Sequence, residues 1–410
     1  MAAAGVKKRA ITLQKLIIKS KTEGEFLEGW NKIKDNTTME VLLYEGEHQG
    51  MTALYLAAWQ VTEGCPAAFA HLHRHFRNQL TLEHFLKRGK SGLFPLWLLA
   101  MAIRSNSGPF KTVLGQFINS ITADVFLLSP HEGPHEGAFI LWFAAQSAHV
   151  TPFFLRIILA KFKKEFQAKD YLKGPQGRAR GKTLLWVLGF LVEYHPAFFM
   201  HAFEQHKDEF TIEEFLAQVL DGENKGQSVV WQLAYAANKY PEAFIAFWVY
   251  FGKQLKLSDL LVEALAGKCQ GESSLSLLAD AALTQPAITI ILGKILYRLP
   301  GIIPNVDPLK EILVKFTNGQ HLINLVLKRN AFFQAFEQFK AQVQISDESF
   351  TELCKLADEA QSADYVNAYY DIGLYLLTRN EEQKAAFSFD RTHPKSTFDK
   401  EVRKRKGPTA

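Results

Sequence analysis

A chain of 410 residues exceeds one ordinary globular core, so several domains or a repeat array are expected. Apolar residues at 48 % and charged residues at 22 % exclude a disordered polyelectrolyte, and no apolar run reaches the roughly 18 residues of a membrane span. The formal charge of +5 sits in residues 391–410, where seven basic side chains face two acidic ones; the rest of the chain is neutral and does not read as a nucleic-acid-binding body by net charge.

At the N-terminus, Val6-Lys7-Lys8-Arg9 leads into Ile11 to Ile18, without the clean apolar core and small-residue cleavage site of a secretory signal, so none is expected. A partial helical unit follows, marked by Phe26, Trp30, Thr38 and Leu42-Leu43. Then a repeat takes over. Gly50, Gly92, Gly137, Gly181, Gly226 and Gly271 lie 42, 45, 44, 45 and 45 residues apart. Four residues after each glycine stand Leu54, Leu96, Leu141, Leu185, Val230 and Leu275; the next position holds Tyr55, Trp97, Trp142, Trp186, Trp231 and Ser276. The eighth position is always small (Ala58, Ala100, Ala145, Gly189, Ala234, Ala279), and the eleventh is Val61, Ile103, Ala148, Val192, Ala237 or Ala282. Offsets of 4, 8 and 11 share one helical face, so a first helix with a buried stripe is predicted, its small residue admitting a close neighbour.

Pro66, Pro109, Pro152, Pro196, Pro241 and Pro286 come 15 to 17 residues after the glycines and mark the start of a second helix, where a missing N–H is harmless. A short third segment is predicted from Thr81, Thr122 or Thr211 as N-cap, with the apolar pairs Phe85-Leu86, Phe126-Leu127, Tyr171-Leu172, Phe215-Leu216 and Leu260-Leu261. The linkers ending at Gly50, Gly137 and Gly226 share acid-Gly-x-His/Asn-x-Gly, turn chemistry that accounts for His48, His135 and Asn224. After Gly271 the pattern decays through Pro300, Pro304 and Pro308.

The expected fold is therefore all-α: an α-solenoid of about six to seven helical repeats of about 45 residues, with a helical C-terminal cap and a basic tail. Residues 1–49 are expected to form an N-terminal helical cap and partial repeat, 50–300 the array, 301–389 a degenerate repeat and cap, and 390–410 a disordered basic tail.

Several constellations are weighed against this frame. Gly181-Lys182-Thr183 resembles the end of a phosphate-binding loop, but position 176 is Gln176 where that motif needs glycine, so nucleotide binding is not expected. His71 and His75 share a helical face, with His73 and His84 nearby, yet no third metal ligand is evident and a solvated polar face is favoured. Cys65, Cys269 and Cys354 fit no metal spacing and lack an identifiable base; a reducing compartment is the simplest reading. The four repeat tryptophans could stack single-stranded nucleic acid, but their apolar neighbours favour burial.

Two basic clusters remain as candidate binding residues: Lys161, Lys163, Lys164, Lys169, Lys173, Arg178, Arg180 and Lys182, and a tail signal at Arg403, Lys404, Arg405 and Lys406 that looks like a nuclear-localisation sequence. No catalytic residue, cofactor or metal ligand is assigned.

The phrase Gly-x-Ser/Thr-x-Leu-Trp-x-Leu-Ala, followed by Pro-x-x-Phe and Thr-x-x-x-Phe-Leu over residues 24 to 300, resembles helical-repeat proteins of Legionella-type bacteria. That resemblance implies an α-solenoid and a type IV secretion effector acting in a eukaryotic host cell; it carries over no catalytic residue. The functional expectation is a non-enzymatic scaffold that binds a protein, here a host protein, on the solenoid surface. It would be cytoplasmic before translocation to the host cytosol or nucleus. Alternatives are nucleic-acid or anionic-membrane binding through residues 161–182 and 400–406, and an enzyme with its site in the irregular C-terminal part, residues 300–377, where Asp358, Glu359 and Asp364 are available but no spacing selects a reaction.

Overall fold

The computed structural model of the protein describes residues 2–46, 51–89, 92–177, 179–267 and 269–282, with 284, 285, 287, 288, 291 and 295. Among them are nineteen α-helices and no strand, beyond one isolated bridge between Glu263 and Ser273. The helices come in threes: α1 (Ala2–Lys19), α2 (Glu23–Ile33), α3 (Met39–Leu43); α4 (Ala53–Thr62), α5 (Ala67–Phe76), α6 (Leu82–Leu86); α7 (Pro95–Met101), α8 (Gly108–Phe117), α9 (Ala123–Phe126). Then follow α10 (Ile140–Gln146), α11 (Phe153–Phe162), α12 (Ala168–Tyr171); α13 (Leu184–Leu191), α14 (Pro196–His206), α15 (Ile212–Leu216); α16 (Val229–Ala236), α17 (Pro241–Phe251), α18 (Leu257–Leu260); and α19 (Ser274–Ala282). The described residues fall into two compact units, divided between Lys225 and Gly226.

Local chemistry sets the starts of the helices. Two residues after the anchor glycine, the side chains of Thr52, Thr183, Ser228 and Ser273 accept the backbone N–H three residues on, each at 3.1 Å. This is the N-cap that satisfies an otherwise orphaned donor. Phe94 and Phe139 hold that position before α7 and α10, make no such bond and are buried instead; α7 begins on Pro95. Pro196 and Pro241 open α14 and α17, and Pro66 and Pro152 stand just before α5 and α11. Thr81, Thr122 and Thr211 are the N-caps of α6, α9 and α15, as the sequence predicts.

In the first unit α1 packs on α4, α4 on α7, α7 on α10 and α10 on α13, so the first helices of successive triples form one continuous layer. In the second unit α16 packs on α17 and α19. The stripe predicted for these helices is too narrow. Leu54, Tyr55, Leu56, Ala57 and Ala58 are all buried in α4, as are Leu96 to Ala100 in α7, because other helices surround them. The repeat tryptophans are buried, Trp97 completely. Their indole N–H groups bond across to the next triple: Trp97 donates to the Ala138 carbonyl at 2.7 Å, Trp142 to Lys182 at 2.7 Å and, in the second unit, Trp231 to Glu272 at 2.9 Å. Each acceptor follows its anchor glycine by one residue, so the bond recurs with the repeat. Ser276 takes the tryptophan position in α19 and bonds instead to Glu272 and Ser273 of its own turn.

The anchor glycines are required where the linkers touch. Gly137 and Gly181 have φ of +75° and +89°, and a Cβ there would lie 2.6 Å from the Gly174 oxygen and 2.8 Å from the Gln218 oxygen.

Candidate functional site

The second helices of the first unit carry the most distinctive surface. Their inner faces bury Phe69, Leu72 and Phe76 on α5, Phe110, Val113 and Phe117 on α8, and Phe154, Ile158 and Phe162 on α11. Their outer faces carry Arg74 on α5, Arg77 just beyond it, Lys111 on α8, and Arg156 and Lys161 on α11, all exposed. None of these three helices contains an aspartate or glutamate. Acids bound this stretch on either side, with Glu23, Glu25 and Glu28 on α2 and Glu204 on α14.

Neighbouring second helices are tied by a recurrent bond. The residue 24 positions after Gly92, Gly137 and Gly181 reaches back to the C-terminal carbonyls of the preceding second helix: Gln116 Nε2 donates to the Arg77 oxygen at 2.9 Å, Lys161 Nζ to the Ile118 oxygen, and Gln205 Nε2 to the Lys163 oxygen at 2.7 Å. These contacts satisfy carbonyls that a helix end leaves unpaired. Gln116 also bonds through Oε1 to His73 Nε2 at 2.9 Å. Burial pushes the His73 pKa down, opposed by that hydrogen bond and reinforced by Arg77.

Between α5 and α8 lies a groove of about 750 Å³, floored by Phe69 and Pro109 and flanked by Arg74, Arg77 and Lys111, with no acidic residue in its wall. Neither guanidinium has a hydrogen bond or ion pair among the described residues, while the Lys111 ammonium lies 5.6 Å from the Phe153 ring. Gly115 faces open space, with no atom within 4 Å of where its Cβ would stand.

The basic run predicted from the sequence is partly absorbed by the fold. Lys161 caps α8, Lys173 pairs with the buried Asp170 at 2.8 Å, and Lys182 donates to Asn224 Oδ1 at 2.6 Å while lying 5.4 Å from the Trp186 ring. Burial holds the Lys182 pKa below the usual lysine value, opposed by Glu223. Lys163, Lys164, Lys169 and Arg180 remain exposed. Arg178 and the tail signal Arg403, Lys404, Arg405 and Lys406 lie outside the described residues, as do Asp358, Glu359 and Asp364.

The loop-like Gly181-Lys182-Thr183 is used structurally throughout: a positive-φ anchor, a half-buried amine bonded to Asn224 and the N-cap of α13. The expectation of a solvated histidine face holds for His75, which is exposed and meets Trp30 edge-on, and is corrected for His73, which is buried; His71, half-buried, bonds Glu23 at 3.0 Å and stacks on Phe26, because α2 and α8 flank α5 on either side. His84 closes a capping box on Thr81. Among the described residues, no three His, Cys, Asp or Glu side chains are placed to hold a metal ion, and no helix is long and apolar enough to cross a membrane.

One further cluster is polar and buried. The Tyr171 hydroxyl and the Nε2 atoms of His201 and His206 have no hydrogen-bond partner, and the Tyr171 and His206 rings lie 5.3 Å apart. Burial pushes the Tyr171 pKa up to about 12, with Asp170 adding to the rise.

No protein-family model, curated protein or solved structure matches the chain.

Sequence reasoning missed Arg74, Arg77, Lys111 and Arg156 because Arg74, Lys111 and Arg156 are 37 and 45 residues apart and form no run. The signal that finds them is the repeat register: Lys111 and Arg156 both follow their anchor glycine by 19 residues, and Arg74 and Lys161 follow theirs by 24.

Proposed function

We propose that the chain is a non-enzymatic interaction scaffold that holds a protein partner on the face formed by α5, α8 and α11. The observation that carries this reading is the single sign of that face: three successive second helices expose cations with no acid among them. The first-helix layer, by contrast, is committed to contacts between triples. A one-signed surface attracts an oppositely charged partner and speeds its encounter. The resemblance to Legionella-type repeat proteins adds the setting: a translocated effector whose partner is a host protein in the cytosol or nucleus.

The test is affinity capture from nuclease-treated eukaryotic lysate, with the full chain beside a 1–390 truncation and a Lys111→Gln/Arg156→Gln variant. A near-stoichiometric protein held by the first two and lost with the variant supports the reading. An empty capture by folded protein, or one lost with the tail alone, counts against it. Retention only when nuclease is omitted would replace it with nucleic-acid binding.

A further inference from the structure

We propose that the groove between α5 and α8 is a seat for an acidic peptide segment of the partner, its carboxylates gripped by Arg74, Arg77 and Lys111. This rests on the scaffold reading and names the site and the partner chemistry. Four observations converge. The two guanidiniums stand three residues apart at the end of α5, a spacing that places them on one helical face. Neither is engaged within the described residues, so both retain their full donor capacity; guanidinium is suited to bidentate pairing with a carboxylate. Lys111 on α8 supplies a third cation from the opposite wall, and no acid of the chain lines the groove to compete. Finally, a volume of about 750 Å³ over the apolar floor of Phe69 and Pro109 falls within the range of ligand-binding clefts.

The apolar floor distinguishes a peptide from a simple anion, which would need only the charges. An extended segment alternating acidic and small apolar residues meets both features, because successive side chains of an extended chain point to opposite sides.

The probes are fluorescein-labelled eight-residue peptides, (Glu-Ala)4 and (Gln-Ala)4, titrated into the full chain and followed by anisotropy. The acidic peptide is expected to bind at least about tenfold tighter than the neutral one, an advantage that shrinks as salt rises from about 0.05 to about 0.3 M. Arg74→Gln/Arg77→Gln is expected to weaken (Glu-Ala)4 by about tenfold or more while leaving the thermal midpoint unchanged. Gly115→Leu, which fills the groove without touching a cation, is expected to weaken it as well. Equal affinity of wild type and the double variant overturns the proposal. Full binding by Gly115→Leu overturns the groove as the seat. Tighter binding of an eight-residue oligothymidylate, lost in the same variants, overturns the peptide assignment in favour of nucleic acid. Partner capture that survives Arg74→Gln/Arg77→Gln sinks this groove and leaves the scaffold standing. Peptide binding with no partner captured does the reverse.

Discussion

The first and second helices of the amino-terminal unit share one repeat but answer to different constraints. Along the first-helix layer, identity recurs: Leu54, Leu96, Leu141 and Leu185 are each completely buried, and Trp97 and Trp142 make the same bond to the next triple. Along the second-helix face only chemistry recurs. Arg74, Gln116, Lys161 and Gln205 hold one register position, and the last three share a polar reach to the previous helix end. A position buried between triples, with a fixed backbone partner in the next one, is held to one side chain, whereas a position that needs only a donor, or only a charge, is free to vary. Sequence repetition in such a chain therefore reports on internal contacts, and the surface available to a partner lies where the repetition is loose.

The sharpest break in this comparison is expected in the first-helix layer. Trp97→Ala should cost about 3–5 kcal/mol in urea unfolding, from lost packing and the cavity left behind. Trp97→Phe should retain most of the packing and lose the indole bond to Ala138, about 1 kcal/mol. A loss below about 1 kcal/mol for the alanine variant would mean that the layer does not carry the fold. Next, Thr183→Ala should cost about 1 kcal/mol through loss of the cap on α13. On the second-helix face the sign reverses: Gly115→Ala should stabilise by about 0.5–1 kcal/mol, since the glycine is exposed, helical and open at its Cβ. A destabilised Gly115→Ala would show that the groove is tighter than its geometry indicates.

The smallest effect concerns pH. His73, His84 and His201 all have pKa values lowered from the ordinary 6.5, chiefly by burial. The unfolded chain therefore takes up protons first as pH falls, so stability should decline from about pH 6.5 downwards. His73→Gln should flatten that decline in midpoints measured between pH 7 and 5, with a residual slope from His84 and His201. Parallel slopes for wild type and variant would show that His73 titrates alike in both states.

What the sequence made legible follows the same division. The helices, their proline starts, the threonine caps of the short third segments and the buried tryptophans were all readable, because each depends on neighbours along the chain or on recurrence at about 45 residues. The roles of Lys161 and Lys182 were not. Their partners Ile118 and Asn224 lie 43 and 42 residues away, so a basic run along the chain looked like a surface when half of its function was internal. His73 was misjudged for a different reason: it stands four residues after Phe69 and three before Phe76, on the apolar stripe of α5, and a reading of the clustered histidines as one solvated face passed over that register. The cations of the groove were hidden differently, since they adjoin only after the triples stack.

The indole bonds run one way. Trp97, Trp142 and Trp231 each donate forward, to a carbonyl about 41 residues later in the chain, so a triple leaving the ribosome carries a buried-type donor whose acceptor has not yet been made. At about 5–20 residues per second, synthesis of that acceptor takes roughly 2–8 seconds. During translation the growing end is thus always the unfinished one, with an exposed indole in search of a carbonyl. A ribosome stalled inside a linker would leave that indole without its acceptor for as long as the stall lasted.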